Sequence, residues 1–152
     1  MDLSEAFDNI NHYGLYLKFI KRNIPLIMLN AIINWYSKRG AVVRWKGIFS
    51  EYFSMTSGVR QDWVLSPFLF AIYVDDVIVN SHDQRLGCVL VGTYIGCLMY
   101  ADDLVLLSAS VSVLQKMIEL SKQEMTYLDM KFNTSKAMVL RIGRARKKVC
   151  LM

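Results

Sequence analysis

Two aspartates stand side by side inside an apolar run. Residues 99–107 read MYADDLVLL, so Asp102 and Asp103 have neighbours that favour burial. Paired carboxylates can bind a cation. Close-set oxygen ligands suit Mg²⁺, which takes one or two carboxylates together with substrate phosphates. Buried like charges otherwise repel and raise a carboxyl pKa, and a divalent cation relieves that repulsion. Asp-Asp in a turn is common, however, and the local sequence alone leaves ordinary turn chemistry the more frequent reading. The spelling also occurs twice, because residues 73–76 read YVDD. Asp2 and Asp8, in DLSEAFD, are the other suggestive acids.

The elements around each pair separate them. CVLVGTYIGCLMYADDLVLLSAS is β-rich and free of proline, and predicts strands over 95–100 and 104–108 with the aspartates at a tight turn. Ser66-Pro67 reads as an N-cap followed by a first-turn proline, starting a helix that runs to about Asn80. Asp75 and Asp76 then fall on that helix, where adjacent side chains point about 100° apart and do not easily line one small site. They read as helix-surface or cap groups. Further helices are expected over 12–22, 25–37 and 111–130, the last on a stripe of Val111, Leu114, Met117, Ile118, Ser121, Met125 and Leu128. Residues 41–56 read as a hairpin around Gly47, and 137–142 as a final strand. The order α, α, β, β, α, β, β, α, β predicts an α+β fold.

The totals bound the class. The 152 residues are 54% hydrophobic and 20% charged, which predicts one globular domain. Lys plus Arg is 18 against 13 for Asp plus Glu, and this modest basic excess suits a polyanionic partner or a merely basic surface. Cys88, Cys97 and Cys150 form no CxxC pair, which argues against a disulfide framework or a zinc site and favours a cytosolic or nuclear setting. The longest uncharged run, 86–101, has 16 residues and three glycines, too short to span a membrane. Asp2 and Glu5 do not fit a signal peptide.

Four segments in order resemble the palm of a reverse transcriptase of the non-long-terminal-repeat retrotransposon or group II intron type. DLSEAFDNINH at 2–12 resembles its first palm motif, an aspartate followed five residues later by an aromatic, here Asp2 and Phe7. SGVRQDWVLSPFLFAIYVDD at 57–76 resembles the second, YADD at 100–103 the third, and KFNTSKAMVL at 131–140 the Asn-x-x-Lys segment of the fourth. The resemblance implies a polymerase palm, a ferredoxin-like antiparallel sheet with helices on one face. It would occupy residues 1–143 and precede a basic tail at 144–152. Asp2, Asp102 and Asp103 would bind two Mg²⁺ (or Mn²⁺) ions for nucleotidyl transfer from a dNTP to a primer 3′-hydroxyl. Phe7 would pack under the sugar and exclude a 2′-hydroxyl, and Gly58, Arg60 and Gln61 would lie near nucleotide and template. Lys136 would approach the triphosphate, and Tyr100 would brace the primer end. The implied partners are an RNA template, a DNA primer and dNTPs, with no membrane.

The pattern breaks at Asp62, where the family has glycine. A carboxylate there opposes a triphosphate and removes a close backbone approach. The family also has an apolar strand before its first aspartate, fingers upstream and a thumb downstream. Beside that pattern the chain reads as truncated at both ends, a piece of a longer polyprotein that could carry endonuclease segments. With only Met1 before it, Asp2 is expected to fray. A catalytically inert remnant that at most binds nucleic acid or a protein partner is the alternative, and no measurable turnover is expected from the isolated chain. A nucleotide-cyclase-like phosphotransferase fits the aspartate turn but not SGVRQ or Asn133-x-x-Lys136. His12, His82, Glu5 and Asp8 receive no role, and Arg141, Arg144, Arg146, Lys147 and Lys148 read first as a solvated basic run.

Overall fold

A computed structural model describes residues 1–4, 6–59 and 64–143. Arg60, Gln61 and Asp62, as well as the basic tail at 144–152, lie outside the described residues. In order the elements are β1 (Asp2–Leu3), α1 (His12–Lys21), α2 (Leu26–Ser37), β2 (Gly40–Ala41), β3 (Arg44–Trp45), β4 (Ile48–Phe49), β5 (Phe53–Ser54) and α3 (Ser66–Val74). Then follow α4 (Asp76–Asp83), β6 (Val89–Leu90), β7 (Thr93–Tyr94), β8 (Cys97–Tyr100), β9 (Asp103–Leu106), α5 (Val111–Tyr127) and β10 (Phe132–Asn133). The fold is mixed α and β with small antiparallel sheets. The chain divides into two compact units, one of residues 1–4 with the segment from Asp75 onward, the other of residues 5–74.

The first unit is built on a four-stranded antiparallel sheet in the order β10-β1-β9-β8. α4 lies against β8, α5 against β9, and the two helices against each other. Leu3, Cys97 and Leu104 are buried from the sheet, and Val77, Met117, Ser121 and Met125 from the helices. Ser121, the polar member of the α5 stripe, returns its hydroxyl to the Met117 carbonyl at 2.7 Å, which lets it sit in an apolar layer. Asn80 ties α4 to α5 by donating to the Glu124 carboxylate at 2.7 Å.

The second unit packs α1 against α2 and α3. Ile10, Leu15, Phe19, Leu29, Tyr36, Phe70 and Tyr73 are buried there. Asn11 caps α1 by accepting from the Gly14 N–H at 3.1 Å. The expected 41–56 hairpin forms as two short ladders, β2 with β5 and β3 with β4. Its tip, Lys46-Gly47, has φ of +48° and +85°, the signature of a primed hairpin turn.

Three expectations change. The helix from Ser66 does not run on to Asn80. It stops at Val74, and a new one starts at Asp76. Asp75 occupies the cap position, its carbonyl accepting from Ile78 and Val79 N–H, and Asp76 places a negative charge in the first turn. The segment before β8 forms its own hairpin, β6 with β7, through Val91-Gly92 at φ +49° and +79°. The strand expected at 137–142 has no ladder partner among the described residues. Met138, Leu140 and Ile142 are exposed, and the strand is instead the two residues of β10.

Candidate active site

β8 and β9 are joined by a two-residue loop, Ala101-Asp102, with Tyr100 paired to Asp103 across it. Ala101 takes φ +49°, a left-handed conformation that costs a residue with a Cβ about 1 kcal/mol. Such strain persists where the surroundings enforce it. Here the two-residue loop itself calls for positive φ at its first residue, and β1 lies beside β9. Asp2 pairs with Asp103 on one side and with Asn133 on the other.

Residues directly opposite in an antiparallel ladder share a face. The register therefore sets Tyr100, Asp103, Asp2 and Asn133 in one row across all four strands. Cys97 and Leu104 carry the buried alternation on the opposite face. Tyr100 is 85% exposed. Asp2 is held, not frayed. The Met1 amine donates to the Leu104 carbonyl at 2.8 Å, and the Leu104 N–H donates to the Met1 carbonyl at 2.7 Å. The Leu3 N–H donates to the Asp102 carbonyl at 3.1 Å, and the Ser4 N–H to the Lys131 carbonyl at 2.9 Å.

Lys136 reaches this row through a turn built by Asn133. The Asn133 side-chain oxygen accepts from the Ser135 N–H at 3.1 Å and the Ser135 hydroxyl at 2.6 Å. The Asn133 carbonyl accepts from the Lys136 N–H at 3.2 Å. Asn133 is the strand partner of Asp2, so the turn returns Lys136 beside that carboxylate. Lys136 Nζ lies 3.0 Å from Asp2 Oδ2. The hydrogen bond and charge of Asp2, then the charges of Asp102 and Asp103, hold the ammonium above the ordinary lysine range. The three acids and the lysine are thus one electrostatic group. Among the described residues no three His, Cys, Asp or Glu side chains are closed into a metal-binding set. Like charges repel across the row, and Lys136 is paired with one of the three.

Phe7 and Gly58 lie in the second unit and meet each other there. The Val59 N–H donates to the Phe7 carbonyl at 2.7 Å and the Gly58 N–H to the Ile10 carbonyl at 2.8 Å. Gly58 has φ +80°, and a Cβ on it would stand 2.9 Å from the Asp8 carbonyl oxygen, so the close approach requires glycine. The Phe7 ring packs 5.0 Å from that of Phe70. His12 and Arg39 both donate to the Gly58 carbonyl, at 2.7 and 3.2 Å. Sequence reasoning gave neither a role. Their partner is 46 residues from His12 and is a backbone oxygen, which leaves no local signal.

The reverse transcriptase (RNA-dependent DNA polymerase) family model matches residues 1–148. The chain is 26% identical over 150 residues to the retrovirus-related Pol polyprotein from type-2 retrotransposable element R2DM of Drosophila melanogaster, covering 99% of this chain and 14% of the relative. It is 34% identical over 118 residues to the corresponding polyprotein from type-1 retrotransposable element R2 of Nasonia vitripennis, covering 76% of this chain and 11% of the relative. It is also 34% identical over 77 residues to the probable RNA-directed DNA polymerase from transposon X-element of Drosophila melanogaster, covering 51% of this chain and 8% of the relative. The chain therefore spans a small part of the length of each. No helix among the described residues is long and apolar enough to cross a membrane.

Proposed function

The chain belongs to the reverse transcriptase family, and we propose that it is the palm of an RNA-directed DNA polymerase, adding deoxynucleotides to a primer 3′-hydroxyl on an RNA template. The observation that carries this is the register row. It draws Asp2 opposite Asp103 from 101 residues away and sets Lys136 on Asp2. The sheet with α4 and α5 on it supports a ferredoxin-like palm, for which we propose residues 1–143, ahead of a basic tail at 144–152 that reads first as solvated.

Carboxylate oxygens from neighbouring strands suit a hard cation, so Asp2, Asp102 and Asp103 would hold two Mg²⁺ or Mn²⁺ ions. Bound there, the ions would activate the primer hydroxyl and neutralise the triphosphate. The chain's own residues do the rest. Lys136 leaves Asp2 to meet the triphosphate, where its ammonium can give a proton to the departing pyrophosphate. Tyr100, exposed at the end of the row, braces the primer terminus. Phe7, pinned by Val59, packs under the deoxyribose, and Gly58 with Arg60 and Gln61 lines the nucleotide and template side. Within a polyprotein the same palm would work beside fingers, thumb and endonuclease segments.

A second reading, a palm that binds nucleic acid or a protein partner without turnover, rests on Asp62 in place of glycine. Titration calorimetry of Mg²⁺ or Mn²⁺, with and without a dNTP, against Asp102→Asn separates the two. Polymerase chemistry requires Asp102-dependent binding that tightens with nucleotide. Binding that ignores Asp102 would sink it. Primer extension on an RNA template, abolished by Asp102→Ala with Asp103→Ala, would then exclude the inert reading.

A further inference from the structure

The Gly58 carbonyl receives two donors from different elements, His12 Nε2 at the start of α1 and Arg39 Nη1 after α2. A carbonyl only accepts, so the His12 proton on Nε2 is fixed by the geometry. Both donors are themselves held by Tyr36 of α2. Its ring lies 4.6 Å from the His12 ring and has the Arg39 guanidinium 4.9 Å above its centre. Tyr36 is 5% exposed and His12 9%, so this is a buried arrangement and not a surface contact. On the other side of the same peptide segment, the Gly58 and Val59 N–H groups grip the Ile10 and Phe7 carbonyls, and Asn11 bridges to Ser57. Force on the Gly58 carbonyl is therefore passed through two peptide planes to the backbone of Phe7.

We infer that His12 and Arg39 form a two-donor clamp on the Gly58 carbonyl that positions Phe7 for the choice between deoxy- and ribonucleotide. This rests on the polymerase reading for the role of Phe7, but the clamp itself stands on the contacts above. His12 is a positioning residue, since it touches Gly58 and not the nucleotide. Selection by an aromatic under a sugar is steric, and a small displacement of the ring admits the extra hydroxyl.

The clamp is acid-sensitive by construction. The groups around the imidazole are Tyr16 on its own helix, Tyr36 on α2 and the Arg39 guanidinium. Burial, and secondarily Arg39, hold His12 below the ordinary histidine range against the opposing pull of the Gly58 bond. Protonation at Nδ1 leaves the Nε2 donor in place but sets a second cation beside the part-buried Arg39. The unfolded chain takes up this proton near pH 6.5, while the folded chain resists it until a lower pH. Stability is thus intact above 6.5 and is lost as pH falls from there to the lowered folded value.

The test compares wild type, His12→Gln and His12→Leu in the whole chain. Gln keeps a donor near the Nε2 position and cannot be protonated, whereas Leu removes the donor. Dissociation constants for dTTP and its ribose counterpart, 5-methyl-UTP, in Mn²⁺ give the sugar preference, and amide exchange at Val59 gives the clamp directly. His12→Leu is expected to lower the dTTP preference roughly three- to tenfold, the worth of one ordinary hydrogen bond, and to speed Val59 exchange without speeding exchange at Leu98. His12→Gln should keep the preference and keep it flat at acid pH, where wild type changes only once the pH falls to the lowered folded value. An unchanged preference in His12→Leu overturns the inference, as does a loss in His12→Gln equal to that in His12→Leu. Triphosphate binding that is absent, or indifferent to Asp102→Asn, sinks the polymerase reading instead. The clamp is then judged on Val59 exchange alone, and unchanged exchange in His12→Leu overturns it.

Discussion

Tyr73-Val74-Asp75-Asp76 and Tyr100-Ala101-Asp102-Asp103 share a four-letter pattern and nothing else. Tyr73 is 2% exposed and Tyr100 85%. Asp75 caps α4 and Asp76 opens it, so those acids serve a helix end. Asp102 and Asp103 close a strained hairpin, and the ladder lays a third acid against them. The helix N-terminus favours the Asp76 charge through its dipole, without a metal. The sheet sets like charges opposite each other, a costly arrangement unless a cation shares it. Identical letters acquire different chemistry from the element that carries them and from what the fold brings alongside.

The largest expected contrast is in stability. Tyr73→Ala empties a buried site against α1, where the Gly14 Cβ position is 3.2 Å from the tyrosine ring, and should cost about 3–5 kcal/mol in urea unfolding. Tyr100→Ala should stay within about 0.5 kcal/mol. Equal costs would mean that the hairpin tip is core, and the contrast would collapse. Next comes cation binding. Asp102→Asn should weaken Mn²⁺ by more than about a hundredfold, since even outer partners of metal ligands are worth 10- to 100-fold. Asp76→Asn should leave it unchanged. A loss in Asp76→Asn would show that the helix acids take part after all.

Much of this contrast could be read before any coordinates. Periodicity found α1, α2 and α5 because each buries a continuous stripe, and the proline-free β-rich run around 95–108 placed YADD at a strand turn. What stayed hidden was nonlocal or too short to have a period. β1 is two residues long, and only its partners, Asp103 and Asn133, make it a strand. The break at Asp75 was masked because an apolar run on both sides looks like one helix. Val91 and Lys46 take positive φ where Asn would advertise a turn. At 137–142 the β-formers do not make a strand, since a strand needs a ladder and that segment has none among the described residues.

A smaller effect probes the buried side of the YADD hairpin. Cys97 lies 3% exposed on the face opposite Asp103, and burial pushes its thiol from 9.0 up to about 11. The unfolded chain loses this proton near 9.0 and the folded chain near 11, so the folded state binds more protons in between. Stability is intact below 9.0 and should fall as pH rises to about 11. Cys97→Ala should flatten that decline in urea midpoints measured across the window. A decline that persists in the variant would place its cause elsewhere.

The smallest effect is the most discriminating, because its two readings differ in sign. Lys136 sits on Asp2 and feels Asp102 and Asp103, yet its side chain is 65% exposed and screened by water. As a resident counterion it competes with any divalent cation for the Asp2 oxygen. Lys136→Ala should then tighten Mn²⁺ binding in the absence of nucleotide, by roughly two- to fivefold for so exposed a pair. As a triphosphate contact it should do the reverse for the nucleotide, weakening dNTP binding by a similar factor. Both changes in one variant mean that Lys136 exchanges one anion for another as the nucleotide arrives. Tighter metal with unchanged dNTP would reduce it to a counterion. Weaker metal would mean that Lys136 holds the strand row together, and the acids would owe their juxtaposition to the lysine as much as to the ladder.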